Sequence, residues 1–348
     1  MNQFPNFKNS ARILTLCFLL SGSFAHAAVV LQYHHIGDDT PAITSTSVEA
    51  FEAHLEHIAN SDLIVVPLTE IVEQPFIAND KRIAITFDDA YANIFELGVP
   101  RLVARGWPFT VFVATEYLGL RDYFSWDDLR YIENHKGLVA NHTHSHLHML
   151  RKLPDESKDE WLKRLRLDIE RAQTMLAANL KHPAKYLAYP YGEYDLDILQ
   201  LISDMGYVGF GQQSGAIGKS SLMALLPRYP LSGSYADLES FKTKVMTQAL
   251  PIDIQAISPL IKTNPPNLTL RFHANPDLRL EQLACYGPGG KTLLEQKSPT
   301  LFIASNQTPL GVGRSRYNCT MPIAGGAFYW FSQLWIRKNP DGSWYPEH

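Results

Sequence analysis

The sequence predicts an α/β protein built on a parallel sheet and followed by a small all-β part. Three observations carry that expectation. From Val29 to about Leu250, short apolar runs alternate with helical patterns, the texture of strand-helix-strand units. Several of those runs end in Asp, His or Tyr clusters, where parallel-sheet proteins keep their chemistry. Beyond residue 264 the helical periodicity stops and Gly, Pro and Asn turns separate β-like runs. The 348 residues are enough for one large domain and a small one. The expected division is a leader over 1–27, the α/β domain over 28–255 and the β-rich domain over 265–348.

The leader is read from Lys8 and Arg12, which precede the apolar run "ILTLCFLL" (Ile13 to Leu20) and the small-x-small pattern Ala25-His26-Ala27. That run is far short of the roughly 20 residues that span a bilayer. Leu16 before Cys17 does not suit a lipoprotein signal. A periplasmic or secreted protein with no transmembrane segment after leader removal is expected. The formal net charge of -4 gives no electrostatic case for nucleic acid or an anionic membrane surface.

In order along the α/β part, "VVLQYHH" reads as a buried strand, and "SVEAFEAHLEHIAN" as an amphipathic helix with Phe51, Leu55 and Ile58 inward. His54 and His57 are assigned to its polar face. "DLIVVPL", "RIAITFDD", "FTVFVAT", "GLVANHT", "YLAYPYG" and "YVGFGQ" follow as strands. The stretch "ESKDEWLKRLRLDIERAQTMLAANL" sets Leu162, Leu165, Ile169, Ala172 and Leu176 on one helical face. This alternation implies a parallel sheet, open or closed into a barrel. In the β-rich part, "LTLRF", "LFIAS" and "AFYWFSQLWIRK" read as strands. Tyr329, Trp330, Phe331, Trp335 and Trp344 are either packing or a sugar-stacking platform. Cys285 and Cys319 are either a disulfide, as an oxidising compartment allows, or two buried thiols.

Three elements carry chemistry. "RIAITF" runs into Asp88-Asp89, adjacent carboxylates whose mutual repulsion a metal and a histidine cluster would relieve. "VANHTHSHLHML" alternates His142, His144, His146 and His148, and spacing alone leaves His142/His146 and His144/His148 as equal candidate pairs. "YLAYPYGEYD" ends an apolar strand in an aromatic-Pro-aromatic-Gly turn.

These residues resemble the NodB-homology polysaccharide deacetylases over about Val29 to Leu250, nearest to the poly-β-1,6-N-acetylglucosamine N-deacetylase branch. The first motif of the family is matched by Thr86-Phe87-Asp88-Asp89-Ala90, and its second, His-Ser/Thr-x-x-His, by the frame that starts at His142. The resemblance implies a distorted (β/α) barrel and a divalent metal held by Asp89, His142 and His146. Zinc is the first choice, with cobalt, nickel or iron as substitutes; one carboxylate and two imidazoles suit such a hydrolytic site. His144 is then a loop residue near the ligands, and His148 packs or hydrogen-bonds nearby. By the same resemblance Asp88 is the general base, and the backbone N–H of Tyr191, in Tyr189-Pro190-Tyr191-Gly192, supports the oxyanion. His34 of the first strand's Tyr33-His34-His35 is the general acid, with His35 as the fallback.

The sequence also departs from the family. Ala188 stands where many members have the Arg that orients the base. "LLPRYPLSG" supplies Arg228 but no late histidine. The reading that results is an extracytoplasmic, metal-dependent N-deacetylase acting on an N-acetylated polysaccharide. Two alternatives stay open: an O-acetyl esterase with the same site, and a catalytically silent polysaccharide-binding protein on the same fold.

Overall fold

Eight short strands form one parallel sheet in a computed structural model that describes residues 27–77, 80–323 and 326–346. The expected leader therefore lies outside the described residues, apart from Ala27. The strand order is Tyr229–Pro230, Val29–Tyr33, Arg82–Phe87, Phe109–Val113, Gly137–Asn141, Ala184–Ala188 and Val208–Phe210, with Ile64–Val65 added beside Arg82–Phe87. Segment 226–230 touches both ends of this order. Tyr229 pairs with Leu31, and Leu226 forms a parallel bridge to Phe210. The sheet thus curls into the distorted (β/α) barrel that the resemblance implies.

Strand parity sorts the core. Val29, Leu31, Tyr33, Ile83, Ile85, Phe87, Val111 and Val113 pack outward under the helices. The alternate positions Val30, Ala84, Phe112, Ala140, Ala188 and Phe210 fill the interior. Further along the same parity stand Gln32, Thr86 and Asp88, and His142, so the inner column ends in polar groups at the strands' C-terminal ends.

The helices follow their periodicity with two corrections. In Val48–Ala59, capped by the Ser47 hydroxyl, Phe51, Leu55 and Ile58 are buried as expected, but so is His54. It lies three and four residues from Phe51 and Ile58, which puts it on their face rather than the polar one. Its ring stacks on Phe241 at 4.0 Å, Nδ1 meets the Tyr33 hydroxyl at 3.1 Å and Nε2 meets the Ala236 carbonyl at 2.8 Å. In Lys158–Asn179, started by a Ser157/Glu160 capping box, Trp161 joins Leu165, Ile169, Ala172 and Leu176 in the buried stripe, and Leu162 is only half-buried. Trp161 also donates from Nε1 to the Met149 carbonyl at 2.9 Å, which fixes it inward.

The C-terminal part is β throughout, save one 3-10 turn at Leu280–Gln282 among the described residues. Its larger sheet orders Gln248–Ala249, Phe328–Arg337, Gly313–Pro322, Ala284–Gly287 and Gly290–Lys291; a three-stranded sheet joins Asn267–Arg271, Leu301–Ser305 and Leu293–Ser298. Cys285 and Cys319 sit opposite each other in register and are disulfide-bonded. Trp335 is core, while Tyr329, Trp330, Phe331 and Trp344 are half-buried against apolar clusters. The strand Phe328–Arg337 also reaches the barrel: Leu334 and Ile336 share a cluster with Leu187, Tyr189 and Ile198, and Gln333 donates to the Tyr194 hydroxyl at 3.1 Å.

Candidate active site

Each site residue stands just past the C-terminal end of a barrel strand. Asp88 and Asp89 follow Arg82–Phe87, His142 follows Gly137–Asn141, Tyr191 follows Ala184–Ala188 and His34 follows Val29–Tyr33. Asp89, Ala90, Thr143, His146 and Tyr191 all have left-handed backbone, with φ between 51° and 70°. Non-glycine residues adopt that region rarely and at a cost, so five of them within one group of turns mark backbone bent to aim side chains.

Asp89, His142 and His146 converge. Oδ1 of Asp89 lies 3.2 Å from Nε2 of both imidazoles, and the three ligand atoms lie within 4.8 Å of one another. Nδ1 of His142 is 2.8 Å from the Ala188 carbonyl and donates to it. A neutral His142 then points its Nε2 lone pair at a carboxylate oxygen, and His146 approaches the same oxygen. Three acceptors facing one another are stable only with positive charge between them, and this donor set fits a divalent ion. Burial would raise the pKa of Asp89, but the His142 and His146 contacts outweigh it and hold it well below the usual carboxylate range. Burial opposes charge on His142 too, yet Asp89 raises its pKa.

The other two histidines of the run have separate partners. Nδ1 of His144 meets the Thr115 hydroxyl at 2.9 Å. Nδ1 of His148 meets buried Glu193 at 3.0 Å, and its ring stacks on Tyr191 at 3.8 Å. The loop itself is held from the long helix: Asp168 accepts from the backbone N–H of His144 and Ser145 and from the Ser145 hydroxyl. Asn141 accepts from the Thr143 N–H at 2.7 Å.

Asp88 is fully buried and lies beside this group rather than in it. Arg228, also fully buried, donates to both its oxygens at 2.7 and 2.8 Å, and Gln32 Nε2 donates to Oδ2 at 2.6 Å. Burial pushes the Asp88 pKa up, but the Arg228 charge leads the opposing causes, and the net shift is downward. Arg228 is itself fixed by the Gly211 carbonyl at 2.9 Å and the Phe112 ring at 5.2 Å. His34 Nε2 is 3.8 Å from Asp88 Oδ2. Burial lowers the His34 pKa, against the raising effect of Asp88 and Asp89. His35 turns to a different set: it stacks on Tyr91 at 3.7 Å, and Nδ1 meets Asn93 at 3.2 Å.

Gln32, Asp168 and Glu193 are not singled out by any sequence motif, and Arg228 stands in a segment, "LLPRYPLSG", without a histidine. Gln32 carried a signal, since a lone amide within "VVLQY" must find a partner once buried. The others became legible only when distant segments met.

Residues 77–210 match the family model described as polysaccharide deacetylase. A Staphylococcus aureus (strain N315) protein named poly-beta-1,6-N-acetyl-D-glucosamine N-deacetylase is 27% identical over 200 residues, covering 54% of this chain and 68% of the relative. Among solved structures, the Streptococcus pyogenes deacetylase PplD in complex with acetate superimposes with a TM-score of 0.55 at 17% identity, over 64% of this chain and 99% of that one. IcaB from Ammonifex degensii does so with 0.55 at 19%, over 64% and 97%. At such identities the two structures speak for the fold.

Proposed function

We propose that this chain, whose residues 77–210 match the polysaccharide deacetylase family model, is a metal-dependent enzyme that removes N-acetyl groups from an extracytoplasmic polysaccharide. One observation carries the reading. A buried carboxylate, Asp88, is held by Arg228 beside the Asp89, His142 and His146 group, with an imidazole on its other side. A silent binding protein has no use for a desolvated ion pair in that position. The name of the Staphylococcus aureus relative supports the amide as the bond attacked, and the disulfide supports an oxidising compartment.

A divalent cation held by Asp89, His142 and His146, zinc first, would polarise the acetamide carbonyl and acidify the attacking water. Asp88, kept ionised by Arg228, takes the proton of that water. The carbonyl oxygen gains negative charge, and the Tyr191 backbone N–H donates to it. The C–N bond then breaks as His34 delivers a proton to the leaving nitrogen, giving acetate and a free amine. The lowered pKa of His34 makes its protonated form the stronger acid.

The test is acetate release by purified protein from poly-β-1,6-N-acetylglucosamine, chitin oligomers and peptidoglycan, with and without a chelator. Release from at least one polymer, abolished by the chelator and restored by zinc, is expected. Chelator-insensitive release, or release only from O-acetylated glycans, would count against the reading.

A further inference from the structure

A cleft of about 590 Å³ opens between the barrel and the C-terminal sheets. Tyr235 and Lys244 line it from the barrel side; Tyr286, Arg314, Arg316 and Trp330 line it from the other. Among the described residues its charged lining is three cations and no carboxylate, in a chain whose net charge is -4. Arg314 and Arg316 are two apart on the strand Gly313–Pro322, so the period of two sets them on one face.

The cleft adjoins the active site through Arg314. Its guanidinium lies 5.5 Å over the Tyr191 ring and 3.9 Å from Glu193, the partner of His148. Lys244 donates to the Tyr235 carbonyl at 2.6 Å. Arg316 has no carboxylate partner among the described residues. Burial lowers its pKa, against the raising effect of Tyr235, and the Arg314 charge adds to the lowering. A half-buried guanidinium beside the Arg314 cation is costly until an anion joins it. Tyr235 and Tyr286 expose 58% and 46% of their surface, which leaves ring faces on which a sugar can stack.

We propose that this cleft is a glycan subsite for a sugar that carries an oxyanion, carboxylate or phosphate, in the same chain whose acetamide meets Asp88. The proposal rests on the deacetylase reading and narrows its substrate class to anionic N-acetylated polysaccharides. Arg316 takes the oxyanion in its guanidinium fork. Tyr235 and Tyr286 cover the sugar faces, and Arg314 bridges from the cleft to the Tyr191 turn.

Three probes separate the possibilities in calorimetric binding at low salt: chitohexaose, hyaluronan hexasaccharide, and chitohexaose phosphorylated on O6. At least one charged hexamer should bind about tenfold or more tighter than the neutral one, and raised salt should shrink the difference. Which of the two does so identifies the oxyanion. Arg316→Gln should abolish the advantage and Arg316→Lys should keep part of it, both with unchanged metal content. Tyr286→Ala, on the exposed rim, should weaken the preferred charged hexamer in a protein that still folds. Equal binding of all three probes by the parent protein, or an advantage that survives Arg316→Gln, would overturn the subsite. Absence of acetate release from every probe would instead sink the deacetylase reading, and the binding comparison would remain readable.

Discussion

Arg228 grips both oxygens of Asp88 at 2.7 and 2.8 Å, across 140 residues of sequence and with both side chains fully buried. The resemblance leads one to expect an Arg at the position occupied here by Ala188. In this chain the guanidinium comes instead from the segment that closes the barrel, and the Ala188 carbonyl serves the His142 ring.

Arg228→Lys should therefore keep the metal and most of the fold but lose the two-pronged grip on Asp88. We expect kcat to fall roughly 100-fold with KM little changed, since misplacing a base by about 1 Å costs that much. Arg228→Met leaves Asp88 buried without its partner and should destabilise the fold by about 3–5 kcal/mol. Steady-state acetate release and urea unfolding measure the two effects. An Arg228→Lys enzyme with full kcat would show that the two-pronged grip on Asp88 does not serve turnover.

Changing Asp89, His142 or His146 to Ala should abolish tight metal binding, because each supplies one of three ligand atoms around a common point. His144→Ala should retain the metal, since its Nδ1 is turned to Thr115. His148→Ala should retain it as well, but it removes the ring stacked on Tyr191 and its contact with Glu193, so a rise in KM is expected. Elemental analysis of the five proteins decides the frame, and loss of metal from His144→Ala alone would reverse it.

Much of the fold was legible because its signals are local. Strand parity and apolar runs expose a parallel sheet, and the Ser157 to Glu160 spacing starts the long helix. The His142/His146 pair was not separable from His144/His148 by spacing, because a run of alternating histidines fits both. The resemblance chose the pair, and the structure brings that pair to Asp89. Arg228 and Asp168 were illegible for another reason. An isolated Arg or Asp carries no periodic signal, and its partner is known only when segments far apart in sequence meet. His54 is legible from position rather than residue type: a histidine three residues after Phe51 belongs to the apolar face.

His34 and His35 can be told apart by leaving group. An amide nitrogen departs poorly without a proton, whereas an activated aryl oxide needs none. His34→Ala should lower turnover on an N-acetylated oligomer by about 100-fold or more, with metal retained and a much smaller loss on an aryl acetate. His35→Ala, at a ring stacked on Tyr91, should act mainly on substrate binding. Equal losses on amide and ester by His34→Ala would pass the acid role to His35.

The β-rich part is expected to resist removal. An independent domain after residue 264 would allow truncation near Pro259 to leave a soluble, metal-loaded barrel. However, Leu334 and Ile336 pack with Leu187, Tyr189 and Ile198, and the strand they stand on pairs with Gln248–Ala249. Cutting at Pro259 uncovers those side chains, and each large apolar residue left in water costs about 1.5–3 kcal/mol. The truncate should aggregate or melt well below the full chain. A soluble truncate with unchanged melting temperature would show that the shared cluster contributes little.

His54 gives the fold an acid-sensitive point away from the chemistry. Burial is the main cause lowering its pKa to about 4, with Lys244 and His57 adding to it and the Ala236 carbonyl and Asp237 opposing. The folded state thus holds His54 neutral, while the unfolded chain protonates it near the ordinary value of about 6.5. Between those values the unfolded state binds more protons, so stability rises with pH. The contribution is complete above about pH 6.5 and is lost progressively as pH falls toward 4, reaching about 3 kcal/mol at the lower end. His54→Gln keeps a neutral polar side chain between Tyr33 and the Ala236 carbonyl but cannot titrate. It should start less stable at pH 7, through the lost stacking on Phe241, and then lose less on acidification. Unfolding free energies for both proteins at pH 7.0, 5.5 and 4.5 make the comparison, because every other titrating group is shared. Parallel pH dependences would mean that His54 protonates in the fold as readily as in the open chain.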